Sequence, residues 1–362
     1  MQVLQVRAEA FSVKKKPDTV LVVVGPTASG KSSFACNMAQ RLGGVIFCAD
    51  SIQLYDGLPL LTAQPTEAQK KAAPHRLYGD LSPIDPEETV ASWCQRLAPL
   101  LDETFENGKT PIVVGGTGFY IKALTEGIAP MPHIPKETVQ RLSMEKTADL
   151  WAALQEADPN ITNTLKPTDR QRIIRALSVV RETGRSLLEW QKCLPKEPKF
   201  TFDIIHVDPP FDLLKAQIQK RFHEMWAEGV CQEVKDFTGQ FLKQNRARGE
   251  PVEPLKNLED LTAKDVRSLL KEHGFKPEAW PPVTKALGFA ELLLFSEGML
   301  TQEQVQQLVI RRTNQYAKRQ RTWFRHQLPT SKAHGPKAVR RVLCAQDTLA
   351  RENILKMLVK GP

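Results

Sequence analysis

The sequence predicts an α/β fold: a parallel sheet flanked by helices, with a helical insertion. Three observations carry that expectation. Mostly apolar, β-branched runs at 19–24, 45–49, 112–116 and 201–208 are separated by segments of helical pattern, and strands that alternate with helices build a parallel sheet. The first run leads straight into GPTASGKS at 25–32, the spacing of a loop that wraps a phosphate. From about 131 to 198 the strand rhythm stops and helical patterns take over.

Each element has its own signal. Residues 19–24, TVLVVV, suit a strand buried on both faces. Gly25 and Gly30 frame the loop, Pro26, Thr27, Ala28 and Ser29 lie between them, and Lys31 and Ser32 close it. The glycines let backbone N–H groups converge on phosphate oxygens, and the following helix adds the field of its N-terminus. Lys31 can reach a terminal phosphate and Ser32 can ligate Mg²⁺. Residues 33–42 read as that helix, with Phe34, Met38 and Leu42 on one face. Together these make a P-loop NTPase-like core. The run 45–49 ends at Asp50, and a helix spans about 88–107 with Trp93, Leu97, Leu100, Leu101 and Phe105 as its apolar stripe. The run 112–116 opens onto VGGTGFY at 114–120. In such sheets ligands gather beyond the carboxyl ends of the strands, so the loop, Asp50 and Thr117 are expected to share one crevice.

Composition sets the bounds. The 362 residues divide into an N-terminal tail (1–18), a core (19–130 and 199–330), the insertion (131–198) and a C-terminal segment (331–362). No apolar run approaches the roughly 18 residues of a membrane span, and the N-terminus lacks the apolar centre of an export signal. The six cysteines form no C-x-x-C pair, which fits the reducing cytoplasm better than a disulfide or zinc framework. The net charge is +9, and between Glu303 and Asp347 ten Lys and Arg occur without one acidic residue. The stretch 246–282 carries no usable motif.

Four further constellations bear on chemistry. Asp50 opens three readings: a Mg²⁺-holding carboxylate, a general base beside a donor phosphate, or a helix N-cap. Thr117 either donates to a phosphate oxygen or caps a strand-to-helix turn. In KPTDRQRIIRAL (166–177), Thr168 and Gln171 have capping-box spacing. Arg170, Arg172 and Arg175 follow with Ile173, Ile174 and Leu177 toward a core, and such a basic face suits either a phosphodiester backbone or plain solvent. In RRTNQYAKRQRTWFRHQ (311–327), six cations alternate with Tyr316, Trp323 and Phe324. Cations neutralise phosphates and aromatics stack on unpaired bases, which favours nucleic acid over a merely amphipathic helix with Ile310, Tyr316 and Phe324 in the core.

Taken in order, GPTASGKS, ADSIQLYDG, TAQP, PHRLYG, VGGTGFYIKAL, TDRQRIIRAL, RF, KALG and NQYAKRQRTWFR closely resemble the tRNA dimethylallyltransferase family of bacterial type over about residues 20–330. The resemblance implies transfer of a dimethylallyl group from its diphosphate to the exocyclic N6 amine of the adenosine 3′ of the anticodon. It implies that Gly25 to Ser32 hold the donor's diphosphate rather than ATP, with Mg²⁺ ligated by Ser32. It further implies Asp50 as general base and Thr117 and Arg221 as pyrophosphate-holding groups. Asp50, Ser51, Ile52 and Gln53 are matched to contacts with the flipped adenosine. Gln171, Arg172, Ile173, Ile174 and Arg175, together with Lys318, Arg319, Arg321 and Arg325, are matched to contacts along the tRNA. The expected partners are tRNA and dimethylallyl diphosphate, with no membrane, and the expected state is a cytoplasmic monomer.

This chain departs from the family in places. It has PLLTAQP at 59–65 where DIGTAKP is usual, so Gln64 stands where lysine is common. Val139 occupies the place of an expected insertion arginine, with Arg141 the nearest substitute. Three rival functions are a prenyltransferase acting on free adenine nucleotides, a P-loop small-molecule kinase and a non-catalytic RNA-binding module.

Overall fold

The computed structural model describes residues 18–85, 88–193, 198–242, 263–272, 274–275, 277, 280–328 and 339–360. Residues 1–17 of the expected tail and most of 246–282 lie outside the described residues.

Six strands form one sheet: β1 (Thr19–Val24), β2 (Gly44–Cys48), β3 (His75–Arg76), β4 (Thr110–Gly115), β5 (Thr201–His206) and β6 (Val339–Cys344). Their order is β3-β2-β4-β1-β5-β6, and every neighbouring pair is parallel. β1 lies inside the sheet between β4 and β5, so the loop that follows it emerges beside the ends of two neighbours.

Period-two alternation divides the core into two layers. Val20, Val22 and Val24 face one side with Phe47, Val113, Phe202 and Ile204, and pack against Trp93, Leu97, Leu101 and Phe324 from helices. Leu21 and Val23 face the other side with Ile46, Ile112, Val114 and Ile205, against Phe34, Ala35 and Met38 of helix Lys31–Leu42. Full burial of each valine contributes about 1.5–3 kcal/mol, and both faces must be covered for that gain. This is why the central strands read as unbroken apolar runs.

The chain divides into two compact units, 1–125 with 199–362, and 126–198. The second is helical where 131–198 was expected to be. Its helices Lys136–Met144, Thr147–Ala157 and Arg170–Thr183 enclose Leu142, Leu150, Leu154, Ile173 and Leu177 in a core of its own. The C-terminal segment requires a correction. Far from standing apart from the core, it supplies the sheet's edge strand β6 and the helix Thr348–Lys360. Two arginines in VRRVLC hid that strand from the pattern of apolar runs.

Candidate active site

The phosphate loop is shaped by close packing at its glycines. A Cβ on Gly25 would stand 2.3 Å from the Val207 carbonyl oxygen, so the strand-to-loop corner admits no side chain. Ala28 (φ 60°) and Gly30 (φ 81°) are both left-handed, a backbone alternation of the kind found in anion-binding concavities. Ser29 N–H donates to the Pro26 carbonyl at 3.2 Å, and Lys31 Nζ donates to the same oxygen at 3.2 Å. Lys31 begins the helix, and Gly30 holds the N-cap position.

Three charges meet above this loop. Burial pushes the Lys31 ammonium down to about 8 from 10.5, with the negative charge of Asp50 opposing the fall and Arg221 adding to it. Arg221 Nη1 donates to Thr27 Oγ1 at 3.5 Å, and burial lowers its pKa against the charge of Asp50. Two partly buried cations and one carboxylate leave an excess positive charge at the site, which favours a polyanion. Asp50 does not cap a helix, correcting one of its readings. Residues 51–54 form a turn, and Asp50 Oδ1 accepts from Ile52 N–H at 3.1 Å to close it. Thr117 Oγ1 accepts from Ser51 N–H at 3.1 Å, which ties the end of β4 to the Asp50 turn and leaves the threonine O–H as a donor.

A cavity of about 350 Å³ joins Asp50 and Arg221 to Thr27 and Ala28 of the loop; Lys31 and Thr117 are not in its lining. Thr27, Asp50, Gln53, Thr62, Arg221, Lys285 and Thr313 are its polar lining; Leu61, Ile218, Phe222, Met225, Leu287 and Val309 its apolar lining; Tyr316 and Arg319 reach it from helix Gln302–Gln327. Ile52 also lines it. A wider, open groove of about 680 Å³ runs between that helix and helix Phe211–Ala227, lined in part by Lys215, Arg311 and Lys318. It contains no residue of the loop, so the smaller cavity is the one joined to the reactive cluster.

Several residues gained a place that sequence spacing did not show. Gln320 is buried on the inner face of the basic helix. Its Oε1 accepts from Thr27 N–H at 2.8 Å and its Nε2 donates to the Gly116 carbonyl at 2.9 Å, so one amide clasps the loop and the end of β4 together. Its only sequence signal is a neutral polar residue at helical spacing between Ala317 and Phe324. Gln64 Nε2 donates to the carbonyls of Gln53 (3.2 Å) and Tyr55 (2.7 Å). Gln53 Nε2 returns bonds to Thr62 (2.7 Å) and Ala63 (3.0 Å). Glu233 accepts from Leu60 and Leu61 N–H at 2.7 and 2.8 Å, fixing that wall of the cavity.

The cations expected along an RNA are placed unevenly. Lys318 and Arg319 are exposed. Arg321 is only 13 % exposed and its Nε donates to Asp208 at 2.5 Å. Arg325, more open, donates twice to the other Asp208 oxygen at 3.0 and 2.7 Å. Burial raises the pKa of Asp208, but hydrogen bonds from Arg321 and then Arg325 outweigh it, so the net shift is downward. Arg312 pairs with the fully buried Glu291. The stacking role read for Trp323 and Phe324 needs correction: Phe324 is 1 % exposed in the core, and Trp323 packs on Gly118, where a Cβ would meet its ring at 2.3 Å, whereas Tyr316 lines the cavity.

In the insertion, Gln171 and Arg172 are exposed and Ile174 and Arg175 partly so, whereas Ile173 is buried in that unit's core. The helix is capped by Asp169, which accepts from Arg172 N–H at 3.4 Å, not by the expected Thr168–Gln171 pair. Among the described residues, no cluster of three or more His, Cys, Asp or Glu could hold a metal ion. Among them too, no helix is long and apolar enough to cross a membrane.

The family model described as IPP transferase matches residues 53–327. This chain belongs to the IPP transferase family. A relative from Zymomonas mobilis, named tRNA dimethylallyltransferase, is 36% identical over 325 residues, 88% of this chain and 91% of its own. One from Rhizobium leguminosarum with the same name is 37% identical over 320 residues, covering 86% and 95%. Two solved structures share the fold of this IPP transferase. One is a eukaryotic dimethylallyltransferase acting on tRNA (22% identity, TM-score 0.67, covering 91% of this chain and 74% of that one). The other is the tRNA isopentenylpyrophosphate transferase of Bacillus halodurans (23% identity, TM-score 0.57, covering 95% and 96%).

Proposed function

We propose that this IPP transferase moves a dimethylallyl group from dimethylallyl diphosphate to the N6 amine of the adenosine 3′ of the anticodon in tRNA. The observation that carries the reading is the cavity in which a phosphate-loop tip and Asp50 meet an apolar wall. A diphosphate suits the charged end, and a short hydrocarbon suits the wall.

In the reaction, the adenine N6 attacks the first carbon of the dimethylallyl group, the bond from that carbon to the diphosphate oxygen breaks, and pyrophosphate leaves. Asp50 takes the N6 proton. Negative charge grows on the departing group, so loop N–H groups, Lys31, Thr117 and Arg221 stabilise the transition state more than the ground state. The adenosine must leave its stack to enter the cavity, where Asp50 to Gln53 meet it. Gln171, Arg172 and Arg175 on the insertion, and Lys318 and Arg319 on the long helix, contact the tRNA backbone. Ile173 acts by holding the insertion helix in its core. Arg321 and Arg325 position the long helix through Asp208.

The donor atoms fit magnesium: the Ser32 hydroxyl and a diphosphate supply the oxygen ligands it prefers, without a protein cage of carboxylates. Bound there, it would neutralise charge on the leaving diphosphate. The protein is proposed to act as a cytoplasmic monomer.

The test is mass spectrometry of tRNA nucleosides after incubation with dimethylallyl diphosphate and Mg²⁺, alongside phosphate release from ATP. Isopentenylated adenosine without ATP turnover is expected. ATP hydrolysis stimulated by tRNA, without prenylated product, would move the chain to the kinase or NTPase reading.

A further inference from the structure

The C-terminal stretch carries no motif and lies beyond the 53–327 interval of the family match, yet its packing leads to the phosphate loop. β6 pairs along β5, and Ala345 N–H donates to the His206 carbonyl at 2.8 Å. Asp347 then caps the next helix by accepting from Ala350 N–H at 2.7 Å. That helix, Thr348–Lys360, lies on helix Lys31–Leu42, with Ile354 and Leu355 sharing a cluster with Phe34, Ala35 and Met38. The packing carries Arg351 to the loop. Its Nη2 donates to the Ser29 carbonyl at 2.9 Å. Its Nη1 stands 3.0 Å from where a Cβ on Gly30 would lie. Its Nε is buried without a hydrogen-bond partner, a cost that a surface arginine would avoid.

Ser29 is where the loop needs support from outside. It sits between two left-handed residues, Ala28 and Gly30, and alanine adopts that hand only under strain. The Ser29 N–H turns back to the Pro26 carbonyl, while the Ser29 carbonyl is met from outside the loop, and a charged guanidinium is a strong donor for it. We propose that Arg351 is a positioning residue of the phosphate loop, bracing the Ser29 carbonyl so that the loop is preformed for a diphosphate. The C-terminal strand and helix are then part of the donor site's support. The proposal rests on the reading of residues 25–32 as the diphosphate site.

The experiment uses the full chain and inorganic pyrophosphate with Mg²⁺ as the calorimetric probe. Arg351→Met keeps the aliphatic stem and the packing but removes the donors. It should raise the pyrophosphate Kd by about tenfold, the worth of one charge-assisted hydrogen bond. Arg351→Lys, which can still donate to Ser29, should recover most of that loss. Glu352→Ala breaks the exposed Arg41–Glu352 pair (3.6 Å) on the same helix and should leave the Kd unchanged. Affinity for tRNA should be unchanged in all three. An unaltered Kd in Arg351→Met overturns the proposal, as does a lysine variant as weak as the methionine one. Wild-type protein that binds pyrophosphate but not dimethylallyl diphosphate would sink the donor reading and leave the brace to be judged on pyrophosphate. Wild-type protein that binds neither sinks both.

Discussion

Asp50 Oδ1 closes its turn by accepting from Ile52 N–H at 3.1 Å, and an asparagine oxygen can accept the same bond. Asp50→Asn should therefore keep the turn while removing the proton acceptor. We expect single-turnover prenyl transfer to fall by about 10²- to 10⁴-fold with tRNA affinity retained; a near wild-type rate would mean that the N6 proton leaves another way. Lys31 gives a second test, in pH. Its folded value, about 8, lies below its ordinary 10.5 because burial disfavours the charge. Between those values the unfolded chain holds a proton that the folded chain has released, so the stability of the ligand-free protein should rise with pH across that window. Pyrophosphate affinity should run the other way and weaken as pH passes 8, since a neutral Lys31 no longer attracts the anion. Melting and titration on either side of that pH check both signs, and Lys31→Met should flatten both profiles. The loop was legible because its glycine spacing is dictated locally. Gln320 was not, because its partners Thr27 and Gly116 are 293 and 204 residues away in sequence.

Helix Gln302–Gln327 shows the limit of counting charges along a chain. Its sequence neighbourhood after Glu303 lacks acids, yet folding brings Asp208 to Arg321 and Arg325 and brings Glu291 to Arg312. The cations therefore divide by task. Neutralising exposed Lys318 and Arg319 should weaken tRNA binding and flatten its salt dependence, because fewer counterions are released, with little change in melting temperature. Arg321→Ala should instead cost about 1–3 kcal/mol of stability, because it strips a partner from a buried carboxylate. Equal salt slopes in wild type and the Lys318/Arg319 variant would remove this helix from the RNA interface. The insertion helix divides similarly: Arg172 is exposed while Ile173, the next residue, is core.

At the scale of the molecule, two units with separate cores predict separable damage. Leu177→Ala, at a fully buried site of the insertion, should cost that unit about 2–5 kcal/mol. It should weaken prenylation of tRNA while leaving pyrophosphate binding, which belongs to the sheet unit, near wild type. Calorimetric titration and denaturant unfolding of the variant check this; a parallel loss of pyrophosphate affinity would show that the units are energetically one. By itself the sequence determined four of the six strands among the described residues, the place of the glycine loop after β1 and of Asp50 after β2, and the helical character of the insertion. Each of these is written in local spacing: apolar runs for buried parallel strands, glycines for a left-handed loop, a 3.6-residue stripe for helices. Only the tertiary structure decided that the C-terminal segment completes the sheet and reaches Ser29. It also decided that Gln320 joins the loop to β4, and that half-hidden arginines serve Asp208 rather than solvent. Those contacts depend on which distant groups the packed layers bring within hydrogen-bond range, and no periodicity along the chain records that.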